Sequence, residues 1–173
     1  MGLLTEIGSG PVALDSAVFI YFIERNPRYL PVVKPIFKAI DEGRLEGVTS
    51  SLTLLETLVA PLRTGNMVIA RQYERLLTQS RLRLIEIDFA LIRAAAHVRA
   101  ATRLKTPDAL QVASALSAGC DVLVTNDGRI PSMPGLRVLR IDAVTEDVHR
   151  AGARVLGGDF DAGQEVDAER RSR

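Results

Sequence analysis

Between residues 12 and 142, short apolar runs alternate with longer stretches of helical periodicity. This alternation restricts the fold more than any other feature of the chain. Residues 12–14, 45–49, 82–88 ("LRLIEID"), 122–124 and 136–142 ("LRVLRID") read as strands, with helical stretches between them. Such an order argues an α/β fold with a parallel sheet covered by helices on both faces. Val122, Leu123 and Val124 form the continuous apolar run expected of a strand buried on both sides. No repeat or linker divides the region. The expected organisation is an extension over 1–11, one domain over 12–142, and a polar tail over 143–173 that is partly disordered.

Helix boundaries follow from caps and breakers. Asp15 or Ser16 caps "AVFIYFIE", which must stop before Pro27. Pro31 and Pro35 interrupt the next stretch, which becomes helical through "IFKAIDEG" and closes at Gly43. Ser50 or Ser51 caps "LTLLETLVAPLR". On a helical wheel Leu52, Leu55, Val59 and Leu62 form its apolar face, widened by Leu54 and Leu58, with Thr53 and Thr57 outside. Residues 68–80 and "ALIRAAAHVRAATRL" give two further helices. "KTPDALQVASALSAGC" is the clearest of all. Thr106 is the cap, Pro107 takes the first helical position, Asp108 lies in the positive first turn, and Gly119 ends the helix.

Composition excludes several functions. A chain of 173 residues, 47% apolar and 25% charged, can bury a core without covalent staples. The single cysteine, Cys120, rules out an internal disulfide framework and fits a reducing compartment. With only His97 and His149 besides, a Cys/His zinc site is excluded, so any bound metal has oxygen ligands. The net charge of +1 provides no global attraction to nucleic acid or membrane. The longest apolar run, residues 17–23, is far short of the roughly 20 residues a membrane helix needs. The N-terminus has no basic targeting segment, and a soluble cytoplasmic protein is expected.

In open parallel sheets, ligands bind beyond the carboxyl ends of the strands. Asp15 ends the first strand, Asp127 ends the run 122–124, and Asp108 opens the helix leading toward that run. Glu56 lies about 40° from Leu52, at the fringe of its helix's apolar face. Each has an ordinary alternative. Asp15 can cap a helix, Asp108 can answer a helix dipole, Glu56 can reach into water, and Asp127 can turn the chain beside Gly128. Eight residues separate Asp127 from Leu136, too many for a two-residue hairpin. Acids gathered at one rim repel one another unless a cation stands among them, and carboxylates suit Mg²⁺ or Mn²⁺. Such an ion can promote phosphodiester hydrolysis without a Ser, Cys or His nucleophile.

"VALDSAVFIYFIE", "SLTLLETL", "TPDALQVASAL" and "LVTNDGRIPSMPGLRVL" stand in the order and spacing of a PIN domain. The chain resembles the VapC-like toxin nucleases of type II toxin–antitoxin modules over residues 12–142. The resemblance implies a three-layer α/β/α sandwich with a central parallel sheet. It carries the family's acidic quartet onto Asp15, Glu56, Asp108 and Asp127, as catalytic residues and ligands of Mg²⁺ or Mn²⁺. Thr125 and Asn126 match the small polar residues that support the last acid. The resemblance implies a metal-dependent endoribonuclease that forms a homodimer and is silenced by a cognate antitoxin. The extension and the polar tail depart from the family's pattern, which bears on partner geometry and leaves the quartet intact.

An RNA substrate must be guided past these acids by cations. Arg99, Arg103 and Lys105 precede the Asp108 helix and Arg129 follows Asp127, although Arg99 and Arg103 can equally form a solvated face. A haloacid-dehalogenase-type phosphatase needs a second acid two residues after the first, where this chain has Ala17. A receiver domain needs an acidic pair near its start and a late lysine, yet Asp15 has no acidic neighbour and no Lys follows Lys105. An RNA-processing or DNA-directed nuclease of the same fold, or a non-catalytic PIN-like scaffold, stays open beside the toxin.

Overall fold

Five parallel strands form the centre of the molecule, in the order β3-β2-β1-β4-β5. The structure is a computed structural model and describes residues 2–146. Its elements are α1 (Leu3–Ile7), β1 (Val12–Leu14), α2 (Ser16–Ile23), α3 (Leu30–Asp41), β2 (Gly47–Ser50), α4 (Leu52–Thr64) and α5 (Met67–Gln79). There follow β3 (Arg83–Ile85), α6 (Phe89–Thr102), α7 (Thr106–Ser117), β4 (Val122–Thr125) and β5 (Arg137–Arg140). Residues 141–146 are helical with Val144 and Thr145 buried, so the start of the tail expected over 143–173 belongs to the packed fold, and its part from 147 onward lies outside the described residues.

The three layers follow from the period of two along each strand. Val12, Leu14, Val122 and Val124 face one side and join buried residues of α1, α2, α3 and α5. Ala13, Val48 and Leu123 face the other and join α6 and α7. Both faces are therefore apolar, and the sheet is covered on each side. Among the described residues no helix is long and apolar enough to cross a membrane.

Topology places the crevice. From β1 the chain proceeds to β2 and β3 on one side of the sheet, and later enters β4 and β5 on the other. The β1–β4 boundary is thus the switch point where an open parallel sheet leaves a cleft at its carboxyl edge. Leu14 is in register with Val124, so Asp15 and the residues after Thr125 emerge side by side.

Several elements differ from the sequence expectation. The N-terminal residues are part of the core, because Leu3 and Ile7 of α1 are buried in it. Helix α3 starts at Leu30, ahead of both prolines: Pro31 lies in its first turn, where no N–H partner is lost, and Pro35 lies within the helix. Helix α7 begins at Thr106 with Lys105 as its N-cap, one residue earlier than the Thr106 cap implies.

Helix α4 differs most. Thr53, Thr57 and Pro61 are its buried residues, while Leu55 is 62% exposed and Leu62 54% exposed. Both threonines face inward, and Thr53 meets partners from other elements there. Thr53 Oγ1 lies 2.8 Å from Thr49 Oγ1 and accepts from Gln111 Nε2 at 2.9 Å. Thr57 Oγ1 donates to the Thr53 carbonyl at 2.8 Å. Leu54 and Leu58 still pack against the core.

Candidate active site

Asp15 directly follows β1 and is the N-cap of α2, so its capping and its place at the sheet edge coincide. Its Oδ1 accepts from the Ser16 backbone N–H at 2.8 Å and from the Ser16 hydroxyl at 3.3 Å. Its Oδ2 accepts from the Thr125 hydroxyl at 2.6 Å. Thr125 is fully buried at the end of β4, and the same hydroxyl oxygen accepts from the Asp127 backbone N–H at 2.9 Å. One side chain therefore ties the first acid to the loop of the last.

Asn126 fixes that loop from the other side. Its Nδ2 donates to the Tyr21 hydroxyl at 3.1 Å, and its Oδ1 accepts from the Asp142 backbone N–H at 3.0 Å. Tyr21 stacks on Tyr29 at 4.2 Å between ring centroids, and the Tyr29 hydroxyl donates to Asp142 Oδ1 at 2.7 Å. The strand end, α2 and the segment after β5 are thereby joined.

Glu56 projects from the inward half of α4. Its Oε2 accepts from Gln111 Nε2 at 3.4 Å. Burial pushes the Glu56 carboxyl above its ordinary range; the Ser16 and Gln111 bonds oppose this, and the charges of Asp15 and Asp108 reinforce it. Asp108, in the first turn of α7, is also raised, first by burial and then by the charges of Asp127 and Asp15, against Arg129 and Lys105. Asp127 moves the other way, held down chiefly by its hydrogen bonds from Arg129. Carboxylates from β1, α4, α7 and the loop after β4 thus act on one another electrostatically.

Gln111, Thr53 and Ser16 were not candidates from the sequence, although Gln111 carries a readable signal. It is a long polar side chain on the buried face of an alanine-rich helix, three residues after Asp108 and on the same side. Thr53 and Thr57 carried the opposite signal, since their hydroxyls look solvent-directed until their partners are known.

The candidate cations are placed differently from one another. Lys105 is exposed at the N-cap of α7 and acts on Asp108 through its charge. Arg103, exposed, ends α6 in the left-handed region at φ 61°. Arg99 donates through Nε to the Leu104 carbonyl at 3.2 Å, bracing the α6–α7 turn. Arg129 grips both Asp127 oxygens and reaches to within 3.7 Å of Asp108 Oδ2.

The donor set is one for a hard divalent ion: carboxylate oxygens with hydroxyls behind them. In their present rotamers, no group of three His, Cys, Asp or Glu among the described residues is arranged to hold a metal ion. Asp127 is turned onto Arg129, and both Asp15 oxygens are engaged by hydroxyl and N–H donors. The chemistry of the donor set suits Mg²⁺ or Mn²⁺.

Comparison with known proteins agrees with this architecture. No curated protein gives a significant match to the chain. Among solved structures, it is similar to VapBC2 from Rickettsia felis bound to a promoter DNA fragment, at 16% identity and TM-score 0.59, over 75% of this chain and 97% of that one. It is also similar to a toxin–antitoxin complex from Klebsiella pneumoniae, at 19% identity and TM-score 0.54, over 73% of this chain and 95% of that one. A third is VapC20 from Mycobacterium tuberculosis, a sarcin-ricin loop cleaving toxin, at 15% identity and TM-score 0.56, over 68% and 90% of the two chains. At these identities the likeness is one of fold. The PIN domain profile matches residues 12–136, which include all four acids and well over half of the chain. The chain belongs to the PIN domain family.

Proposed function

We propose that this protein is a divalent-metal-dependent endoribonuclease that hydrolyses RNA phosphodiester bonds and serves as the toxin of a toxin–antitoxin pair. Asp15, Glu56, Asp108 and Asp127 are its catalytic carboxylates and the ligands of Mg²⁺ or Mn²⁺. The observation that supports this most is that the PIN domain match spans all four acids, with Asp15 and the loop of Asp127 side by side at the β1–β4 switch point. Such an ion supplies the counter-charge the acids lack and polarises the scissile phosphate. The protein's own groups set the geometry. Ser16 and Thr125 hold Asp15, Gln111 and Ser16 aim Glu56, and Asn126 anchors the loop that carries Asp127.

RNA would reach the acids past Lys105 and Arg103, both exposed beside the start of α7. Arg99 serves this path through the turn it braces, and Arg129 lies at the site itself. The structures of VapBC2 and of the Klebsiella complex support a cognate antitoxin as partner. We also infer a homodimer acting in the cytoplasm, which suits a chain whose single thiol, Cys120, is buried and pushed up to about 11.

The test is cleavage of mixed single-stranded RNA by the purified, partner-free protein with Mg²⁺ or Mn²⁺. We expect cutting that stops with EDTA and in Asp127→Ala. No cutting by folded, metal-loaded protein across several RNA pools would contradict the reading. Growth arrest on expression, relieved by Asp127→Ala, distinguishes a toxin from a housekeeping nuclease.

A further inference from the structure

We infer that Arg129 is a counter-ion built into the acidic site, and that a divalent cation binds by displacing it. This rests on the assignment of Asp108 and Asp127 as metal ligands. The Arg129 backbone N–H and Nε each donate to Asp127 Oδ1 at 2.9 Å, and Nε also lies 3.0 Å from Oδ2. Nη2 donates to Asp127 Oδ2 as well and stands 3.7 Å from Asp108 Oδ2. The guanidinium thus addresses two acids from different elements. Both oxygens of Asp127 accept from its fork, which leaves that carboxylate poorly available to a metal ion.

A metal ion and a guanidinium have the same sign and seek the same oxygens, so the two compete. The surroundings allow the exchange. The Arg129 side chain is 58% exposed, against 22% for Asp127 and 16% for Asp108. It can swing outward while the acids stay in place. The turn is anchored independently by buried Ile130, whose N–H donates to the Asp127 carbonyl at 3.4 Å, and by the Thr125 hydroxyl.

Arg140 supplies an internal control. Its charge also lowers the Asp127 carboxyl, and its guanidinium lies against Gly128, where a Cβ would meet Nη1 at 3.2 Å. Its ion-pair partner, however, is Asp142, at 3.8 Å. Removing Arg140 deletes the same charge close by without opening the fork on Asp127.

Calorimetric titration of MnCl₂ into the metal-free full-length chain tests this, with folding of each variant checked by circular dichroism. Arg129→Gln is expected to bind Mn²⁺ about 10-fold more tightly than wild type, a change of about 1.4 kcal/mol. Arg129→Lys, which keeps the charge and loses the fork, is expected between the two. Arg140→Gln is expected to change affinity by less than about 3-fold, as a nearby but exposed charge should. Metal-free Arg129→Gln should melt below wild type, and Mn²⁺ should reverse that order. Equal or weaker Mn²⁺ binding in Arg129→Gln would overturn the inference and leave the metal-site reading standing. An equal gain in Arg140→Gln would overturn it too, reducing the effect to net charge. No Mn²⁺ binding in wild type or Arg129→Gln would overturn both.

Discussion

Thr125 performs two tasks with one hydroxyl: it donates to Asp15 and accepts from the backbone of Asp127. Thr125→Val preserves the shape and removes both bonds, leaving a part-buried N–H and a carboxylate oxygen to find other partners. The expected cost is about 1–3 kcal/mol of stability, read by urea denaturation, together with a fall in cleavage. Thr125→Ser should retain most of both. For the acids, Asp15→Ala, Asp108→Ala and Asp127→Ala should each reduce RNA cleavage by at least about 100-fold without loss of fold. Cleavage rate and circular dichroism on the same samples check this. Undiminished cleavage in two of the three would refute the assignment.

Glu56 makes a pH prediction for the metal-free protein. Its folded pKa lies above its unfolded one, so the folded state holds the proton more strongly. Ionised Glu56 therefore costs stability at neutral pH, and the cost disappears as pH falls through the raised value toward the unfolded one. Glu56→Gln should raise the melting temperature at pH 7, and the advantage should shrink as pH falls through that window. Asp127 has the opposite sign. Its lowered pKa contributes stability at neutral pH that is lost only as pH falls through the depressed value. A Glu56→Gln variant no more stable than wild type at pH 7 would contradict the electrostatic description of the site.

At the scale of elements, helix α4 shows what a helical wheel cannot see. Polarity alone assigns Leu55 and Leu62 to the core, whereas Thr53 bonds Thr49 and Gln111 inside and those leucines are exposed. The strands were legible because Val12–Leu14 and Val122–Val124 need apolar neighbours on both faces, a requirement visible in each residue type. The acids at strand ends were legible for the same reason: a sheet edge is a position the chain order defines. Gln111 and Ser16 were not, since their roles depend on side chains brought in from other elements. The orientation of α4 is testable. Leu55→Ser should change stability by no more than about 0.5 kcal/mol, as an exposed position should. Thr53→Val should cost about 1–3 kcal/mol by removing the nearer partner of Gln111 and the buried bond to Thr49. Denaturant unfolding of the pair decides it, and the reverse ranking would place the leucines inside.

At the scale of the molecule, the site is where the topology reverses, and the layers hold the edges of that crevice together. Helix α1 joins this framework, although residues 1–11 read as an extension from sequence. Burial of Leu3 and Ile7 makes the N-terminus part of the first core cluster. Leu3→Ala should cost about 2–5 kcal/mol if the site is as closely packed as that burial indicates. A change below about 0.5 kcal/mol in thermal or denaturant unfolding would show the segment to be an appendage.

The central claim is that four carboxylates, brought together by strand order, form a divalent-metal site. Anomalous diffraction from crystals soaked in MnCl₂, recorded at the manganese edge, addresses it most directly. A manganese peak is expected within coordination distance of Asp15 and at least one of Asp108 and Asp127, with the Arg129 guanidinium turned away. Well-ordered crystals with saturating Mn²⁺ and no peak among these acids, or a peak elsewhere alone, would contradict it.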